Sequence, residues 1–122
     1  MVNSGLSTKS TGAYGEALAK DYLIKSGLTF LTQNYRTKIG EIDLILKDRG
    51  VIVFVEVKTR QYLDQGLPEE AVTPRKLSAI KRVGEYYLIS NHLTHLPARI
   101  DVVAIELTTN PPTIRHLQNV TG

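Results

Sequence analysis

Eight residues constrain the fold more than any others: Val51-Ile52-Val53-Phe54-Val55-Glu56-Val57-Lys58. β-Branched and aromatic side chains dominate this run, which favours extended backbone. Successive side chains of a strand point to opposite faces, and here both faces are apolar for most of the length. Such a strand belongs at the centre of a sheet covered on both sides. The chain must therefore supply neighbouring strands and two covering layers from 122 residues, a length that suits one domain.

The flanking segments supply those parts. Gly40 opens Glu41-Ile42-Asp43-Leu44-Ile45-Leu46-Lys47, and alternation puts Ile42, Leu44 and Leu46 on one face with Asp43 on the other. Asp48-Arg49-Gly50 is a turn signal, so the two runs read as a hairpin. Thr29 to Arg36 and Arg99 to Leu107 read as further strands, and Thr113 to Leu117 as a short edge strand beyond Pro111-Pro112. Gly15, Leu18, Ala19, Tyr22 and Leu23 recur at helical spacing. That helix should begin near Gly12, with Ser10 or Thr11 as N-cap, and should stop at Gly27. A second helix should start at Thr73-Pro74, bury Leu77, Ile80, Gly84, Tyr87 and Leu88, and end near Asn91. Gln61 to Val72 reads as a polar, flexible loop. The order is α-β-β-β-α-β with an optional last strand, an α/β domain with a mixed sheet of four or five strands and a helix on either side. Residues 1–12 read as a flexible lead-in to a single domain over 13–122.

Composition closes off other classes. Hydrophobic residues make up 42% and charged residues 22%, as in ordinary globular domains. No apolar run approaches the ~20 residues that span a bilayer, and the Ser/Thr/Gly-rich start lacks the apolar core of a secretory signal. Cysteine is absent, which removes disulfide scaffolds, thiol nucleophiles and cysteine metal sites. A cytoplasmic location with no membrane partner is the matching expectation. The net charge of +3 is a mild hint of a polyanionic partner. Its distribution says more: Arg75, Lys76, Lys81 and Arg82 fall in one stretch without an acid.

Charged residues in the apolar strands point to chemistry. Glu56 and Lys58 share a face of the most buried strand, roughly 7 Å apart. Burying such charges unpartnered costs several kcal/mol, so they need each other, a metal or a ligand. A hairpin turning at Asp48 to Gly50 can bring Asp43 beside Glu56. Two adjacent carboxylates repel, and a hard divalent cation, Mg²⁺ or Mn²⁺, relieves the repulsion. Glu16 edges the apolar face of the first helix and joins them if that helix packs on the face carrying Glu56. Carboxylates holding a cation beside a lysine are an apparatus for phosphodiester hydrolysis. Phosphate contacts from Arg60, Arg75, Lys76, Lys81 and Arg82 would suit a nucleic-acid substrate.

The runs Gly40-Glu41-Ile42-Asp43-Leu44-Ile45 and Phe54-Val55-Glu56-Val57-Lys58-Thr59-Arg60 resemble the D…ExK core of restriction-endonuclease-like nucleases. With Gly15-Glu16 and Ala19 ahead of them, Asn34-Tyr35-Arg36, Ala71-Val72-Thr73 with Lys76, and Arg99-Ile100-Asp101-Val102-Val103, the chain is similar to the YraN family. These small bacterial proteins resemble archaeal Holliday junction resolvases. The resemblance implies a metal-dependent endonuclease acting on DNA, branched or otherwise structured. Asp43 and Glu56 match the metal-ligand carboxylates, Lys58 the catalytic lysine and Glu16 the helix glutamate. Ile42 stands where many members carry a structural proline, which leaves the acid site intact. A homodimer follows from the resolvase likeness alone. RNA stays open beside DNA, because nothing in the motifs reads a sugar or a base. The runner-up is a catalytically silent nucleic-acid-binding or adaptor protein that keeps the fold.

Blander readings hold elsewhere. Glu41 reads as a solvated strand-end acid, and His92 and His95 as surface residues. Asp101 reads as a structural partner of Arg99. Tyr62, Tyr86 and Tyr87 read as packing residues more than stacking platforms.

Overall fold

The computed structural model describes residues 8–62 and 66–121. The elements follow as α1 (Thr8–Lys25), β1 (Thr29–Thr37), β2 (Gly40–Asp48), β3 (Val51–Arg60), a 3₁₀ turn (Pro68–Ala71), α2 (Pro74–Ser90), β4 (Ala98–Glu106) and β5 (Thr113–Leu117). The five strands form one sheet in the order β1-β2-β3-β4-β5. β3 runs antiparallel to β2 and parallel to β4, and the other pairs are antiparallel. This is the expected mixed α/β arrangement with the optional last strand present.

β3 is central, and Ile52 to Val57 are all buried. Its two faces feed two cores. Val53, Val55 and Val57 pack with Leu44, Leu46, Val103, Ile105 and the α1 residues Ala19 and Leu23. Ile52 and Phe54 pack with Ile45, Ile100 and the α2 residues Ile80, Val83 and Tyr87. The Tyr87 ring stands edge-on to Tyr35, 5.1 Å between centroids, and to Phe54 at 6.2 Å, a favourable aromatic geometry.

The helix ends follow side-chain chemistry. Thr73 caps α2 by accepting the Lys76 N–H at 3.2 Å, with Pro74 behind it. α1 stops at Gly27, whose φ of +104° suits a residue without Cβ. There the Leu28 N–H reaches the Leu23 carbonyl at 3.1 Å and the Gly27 N–H reaches that of Ile24 at 3.0 Å, the paired closure of a Schellman end. Gly15 lets α1 settle onto the sheet: a Cβ at that position would lie 1.9 Å from Thr59 Oγ1.

Three expectations need correction. α1 starts at Thr8, so Ser10 and Thr11 lie inside it and residues 8–12 are helical; residues 1–7 lie outside the described part. Nothing from Thr8 to Gly12 is a large apolar residue, so periodicity could not register these turns, although Thr11 is buried. Part of the presumed flexible loop is ordered by ions: the Arg115 guanidinium binds both Glu69 oxygens, at 2.9 and 2.7 Å, and also Glu106. That fork pins the 3₁₀ turn to β4 and β5, while residues 63–65 lie outside the described part. Finally, Ile42 does not share a face with Leu44 and Leu46. It packs in the α2-side core, and the alternation of β2 breaks at Asp43.

Candidate active site

The break at Asp43 creates the site. The β2–β3 ladder ends at Leu44 opposite Val55, so the first residues of β2 part company with the last residues of β3. The Val57 N–H donates to Asp43 Oδ2 at 2.8 Å instead of to a backbone carbonyl of β2. A strand N–H lies in the plane of its sheet. The Asp43 carboxylate therefore sits in the fork between the strands, in the sheet plane, not on the face that simple alternation assigned to it.

Glu56 points from β3 to the α2 side. It is 3% exposed, and its Oε2 lies 3.6 Å from Lys58 Nζ and 3.4 Å from Lys76 Nζ. Lys76 is in the first turn of α2, so the helix start delivers a second ammonium to the carboxylate. Glu16 arrives from the other direction. α1 packs on the Val57 and Thr59 face, opposite to Glu56, so the condition set for Glu16, a helix on the Glu56 face, is not met. The in-plane Asp43 stands between the two glutamates.

Electrostatics ties these acids together. Burial and then the Glu56 charge push the Asp43 carboxyl up to about 7, against the opposing Val57 hydrogen bond, with Glu16 and Glu41 adding to the rise. Glu16 is likewise raised by burial, then by Glu41 and Glu56, and Arg36 offsets part of this. Like charges held together in a low dielectric disfavour ionisation, and such displaced carboxyls mark functional sites. Among the described residues no group of three or more His, Asp or Glu side chains is placed to hold a metal ion. An octahedral hard cation does not require one, because Mg²⁺ is usually bound through one or two carboxylates with water and substrate oxygens completing the shell. A buried pair of repelling carboxylates fits that donor set.

The chain matches the model of the uncharacterised protein family UPF0102 over residues 15–105. It belongs to the UPF0102, or YraN, family. It is 44% identical to a UPF0102 protein of Trichlorobacter lovleyi, covering 94% of this chain and 92% of that one. Against a UPF0102 protein of Dehalococcoides mccartyi it is 40% identical over 93% of this chain and 94% of the relative. One from Clostridioides difficile is 41% identical, with 93% and 98% covered.

The other candidates of this UPF0102 chain divide. Arg60, half-buried at the end of β3, has its Nε buried without a hydrogen-bond partner. Arg75 and Arg82 are exposed on α2. Lys81 is not at the carboxylates; it lines a separate cleft with Phe54, Ala98 and Arg99. Glu41 is exposed and lies 3.8 Å from Arg36, as a strand-end acid should. His92 and His95 are exposed. Tyr87 packs as expected, whereas Tyr86 and Tyr62 are exposed large hydrophobics. Asp101 is structural: it binds Arg99, His116 and the Asn119 N–H. No helix among the described residues is long and apolar enough to cross a membrane.

Sequence reasoning left the placement of two residues unread. Lys76 was a surface phosphate candidate, but the cap at Thr73 turns its helix so that the ammonium reaches Glu56. The Thr73-Pro74 signal with a lysine two residues on could have suggested this. Thr11 was assigned to a cap, yet its Oγ1 is buried and unpartnered, and no sequence pattern signals that. A buried polar atom without a partner costs roughly 1–3 kcal/mol.

Proposed function

We propose that this UPF0102 protein is a divalent-metal-dependent endonuclease that hydrolyses phosphodiester bonds in DNA, with branched or otherwise structured DNA as its substrate class. One observation carries the reading: the Asp43 carboxylate, fixed in the strand fork by Val57, is raised to about 7 by burial and by Glu56. Two carboxylates kept together at such an energetic disadvantage are primed for a cation.

Asp43 and Glu56 would hold Mg²⁺ or Mn²⁺, with Glu16 assisting. The ion, when bound, supplies neutralisation of phosphate charge and a lowered pKa for attacking water. The Val57 N–H keeps one Asp43 oxygen engaged and so orients the other. Lys58, beside Glu56, is placed to steer the water or to meet negative charge growing on the phosphate. Arg60, Arg75 and Lys76 would contact phosphates, a sequence-independent role. A homodimer in the cytoplasm is the matching assembly, since a four-way junction presents two symmetric strands.

A second reading has its own support. Glu56 already lies within 3.6 Å of two ammonium groups, which relieve its charge without any metal. A silent nucleic-acid-binding or adaptor protein would keep such an arrangement.

The purified protein should be incubated with four-way-junction, flap, nicked, linear duplex and single-stranded DNA in Mg²⁺, Mn²⁺ and chelator. Cutting is expected in either metal only, reduced roughly 100-fold or more in Asp43→Ala and Lys58→Ala. Cutting that survives both substitutions overturns the reading. Metal-independent binding without cutting establishes the adaptor alternative.

A further inference from the structure

We propose that the cleft beside α1, bordered by Glu16 but apart from Asp43 and Glu56, is a phosphate seat which takes a phosphodiester flanking the bond to be cut. The seat deepens the nuclease reading and rests on it for the identity of the strand that it grips. The described residues contain two buried side-chain atoms with no hydrogen-bond partner, Thr11 Oγ1 and Arg60 Nε. Both residues line one cleft of about 250 Å³, together with Glu16 and Lys58. Thr11 is 5% exposed. The two residues that carry these unpartnered atoms therefore border a single space.

Their chemistry specifies the occupant. The Arg60 Nε–H can only donate, and the Thr11 hydroxyl can donate as well. Donors without partners call for an acceptor, and a permanent guanidinium charge calls for an anionic one. Lys58 also lines this cleft, with its ammonium 3.6 Å from Glu56 Oε2. Thr11 and Gly12 lie within α1. Guanidinium and hydroxyl together make a donor set for tetrahedral phosphate oxygens. Glu16 borders this cleft and also contributes to the field at Asp43. The seat thus adjoins the fork, as the next phosphate along a strand would require.

Equilibrium binding of a four-way junction and of linear duplex, measured by fluorescence anisotropy in chelator across a salt series, tests the seat without needing turnover. Arg60→Gln should weaken binding about tenfold and flatten the slope of log K against log salt by about 0.9. Thr11→Val should weaken binding several-fold with the slope unchanged, because it removes a hydroxyl and no charge, and Thr11→Ser should restore it. Because one phosphate engages both groups, the double variant should lose less than the product of the single losses. Wild-type affinity in Arg60→Gln, or full additivity of the two substitutions in a folded double variant, overturns the seat whether or not the protein cuts DNA. The side-chain ¹⁵N resonance of Arg60 Nε separates the sources of phosphate. It should move with a thymidine dinucleotide phosphodiester; movement with inorganic phosphate alone means a free-phosphate site and overturns the flanking-diester assignment.

Discussion

Two buried aspartates stand on the strands that flank β3, and they are kept in opposite ways. Asp101 on β4 is fully enclosed. Burial pushes its carboxyl up, but His116, Arg99 and the Asn119 N–H outweigh that and hold it below the ordinary range. Arg99 also reaches Asp48 on β2 at 3.0 Å, so that network ties β4, β5 and β2 together and fastens the chain beyond β5. Asp43 on β2 has one backbone donor and three acidic neighbours. Burial alone thus says little about role. An acid whose surroundings complete its hydrogen bonds is architecture; an acid whose surroundings repel its charge is waiting for something to arrive.

The contrast can be broken most forcefully at Asp101. Asp101→Ala strips Arg99 and His116 of their shared partner, and such a loss from a buried ionic network costs about 3–5 kcal/mol. Urea unfolding at neutral pH should show it, with no rescue by Mg²⁺. If the midpoint barely moves, the network is ornamental.

Asp43→Asn should do the reverse. In chelator above pH 7 the variant should be more stable than the parent by roughly 1–3 kcal/mol, since the amide can still accept from Val57 and the repulsion is gone. The two aspartates also differ in the sign of their pH dependence. The folded Asp43 carboxyl holds its proton more tightly than the unfolded chain does. Its contribution to stability is therefore present at low pH and lost as the pH rises from about 4 to about 7. Asp101 is depressed, so its contribution is present above the ordinary carboxyl range and lost as the pH falls through the folded value. Unfolding midpoints of the parent and Asp43→Asn across pH 4–8 should diverge in that direction, and Mg²⁺ should close the gap. Parallel curves would mean that Asp43 is not under repulsion.

The smallest effect sharpens the picture of the fork as one electrostatic unit. Arg36 lowers the Glu16 pKa, so Arg36→Gln should raise the Glu16 titration midpoint followed by carboxyl NMR, and added salt should shrink the change. An unmoved midpoint would separate Glu16 from the strand acids.

Much of this could be read from residue order, and the gaps have physical causes. The central position of β3 followed from its two apolar faces, and α2 followed from Thr73-Pro74 and the spacing of its buried side chains. Asp43, Glu56 and Lys58 stood out because charge is costly where those strands had to be buried. Alternation, however, assumes an unbroken ladder. It could not foresee that pairing stops at Leu44 and Val55, which turns Asp43 into the plane and sends Ile42 to the other core. Nor could periodicity detect turns of α1 that carry small polar residues, and so it overlooked Thr11.

The bare contact between Gly15 and Thr59 has a mechanical consequence. The α1 main chain rests there on the short Thr59 side chain, with no side chain of its own to act as a cushion. Glu16 on one flank and Thr11 a turn earlier are spokes of the same rigid rod. A shift of that rod toward or away from the fork would move both at once, so the spacing between an ion and a gripped strand would be gauged by a single part.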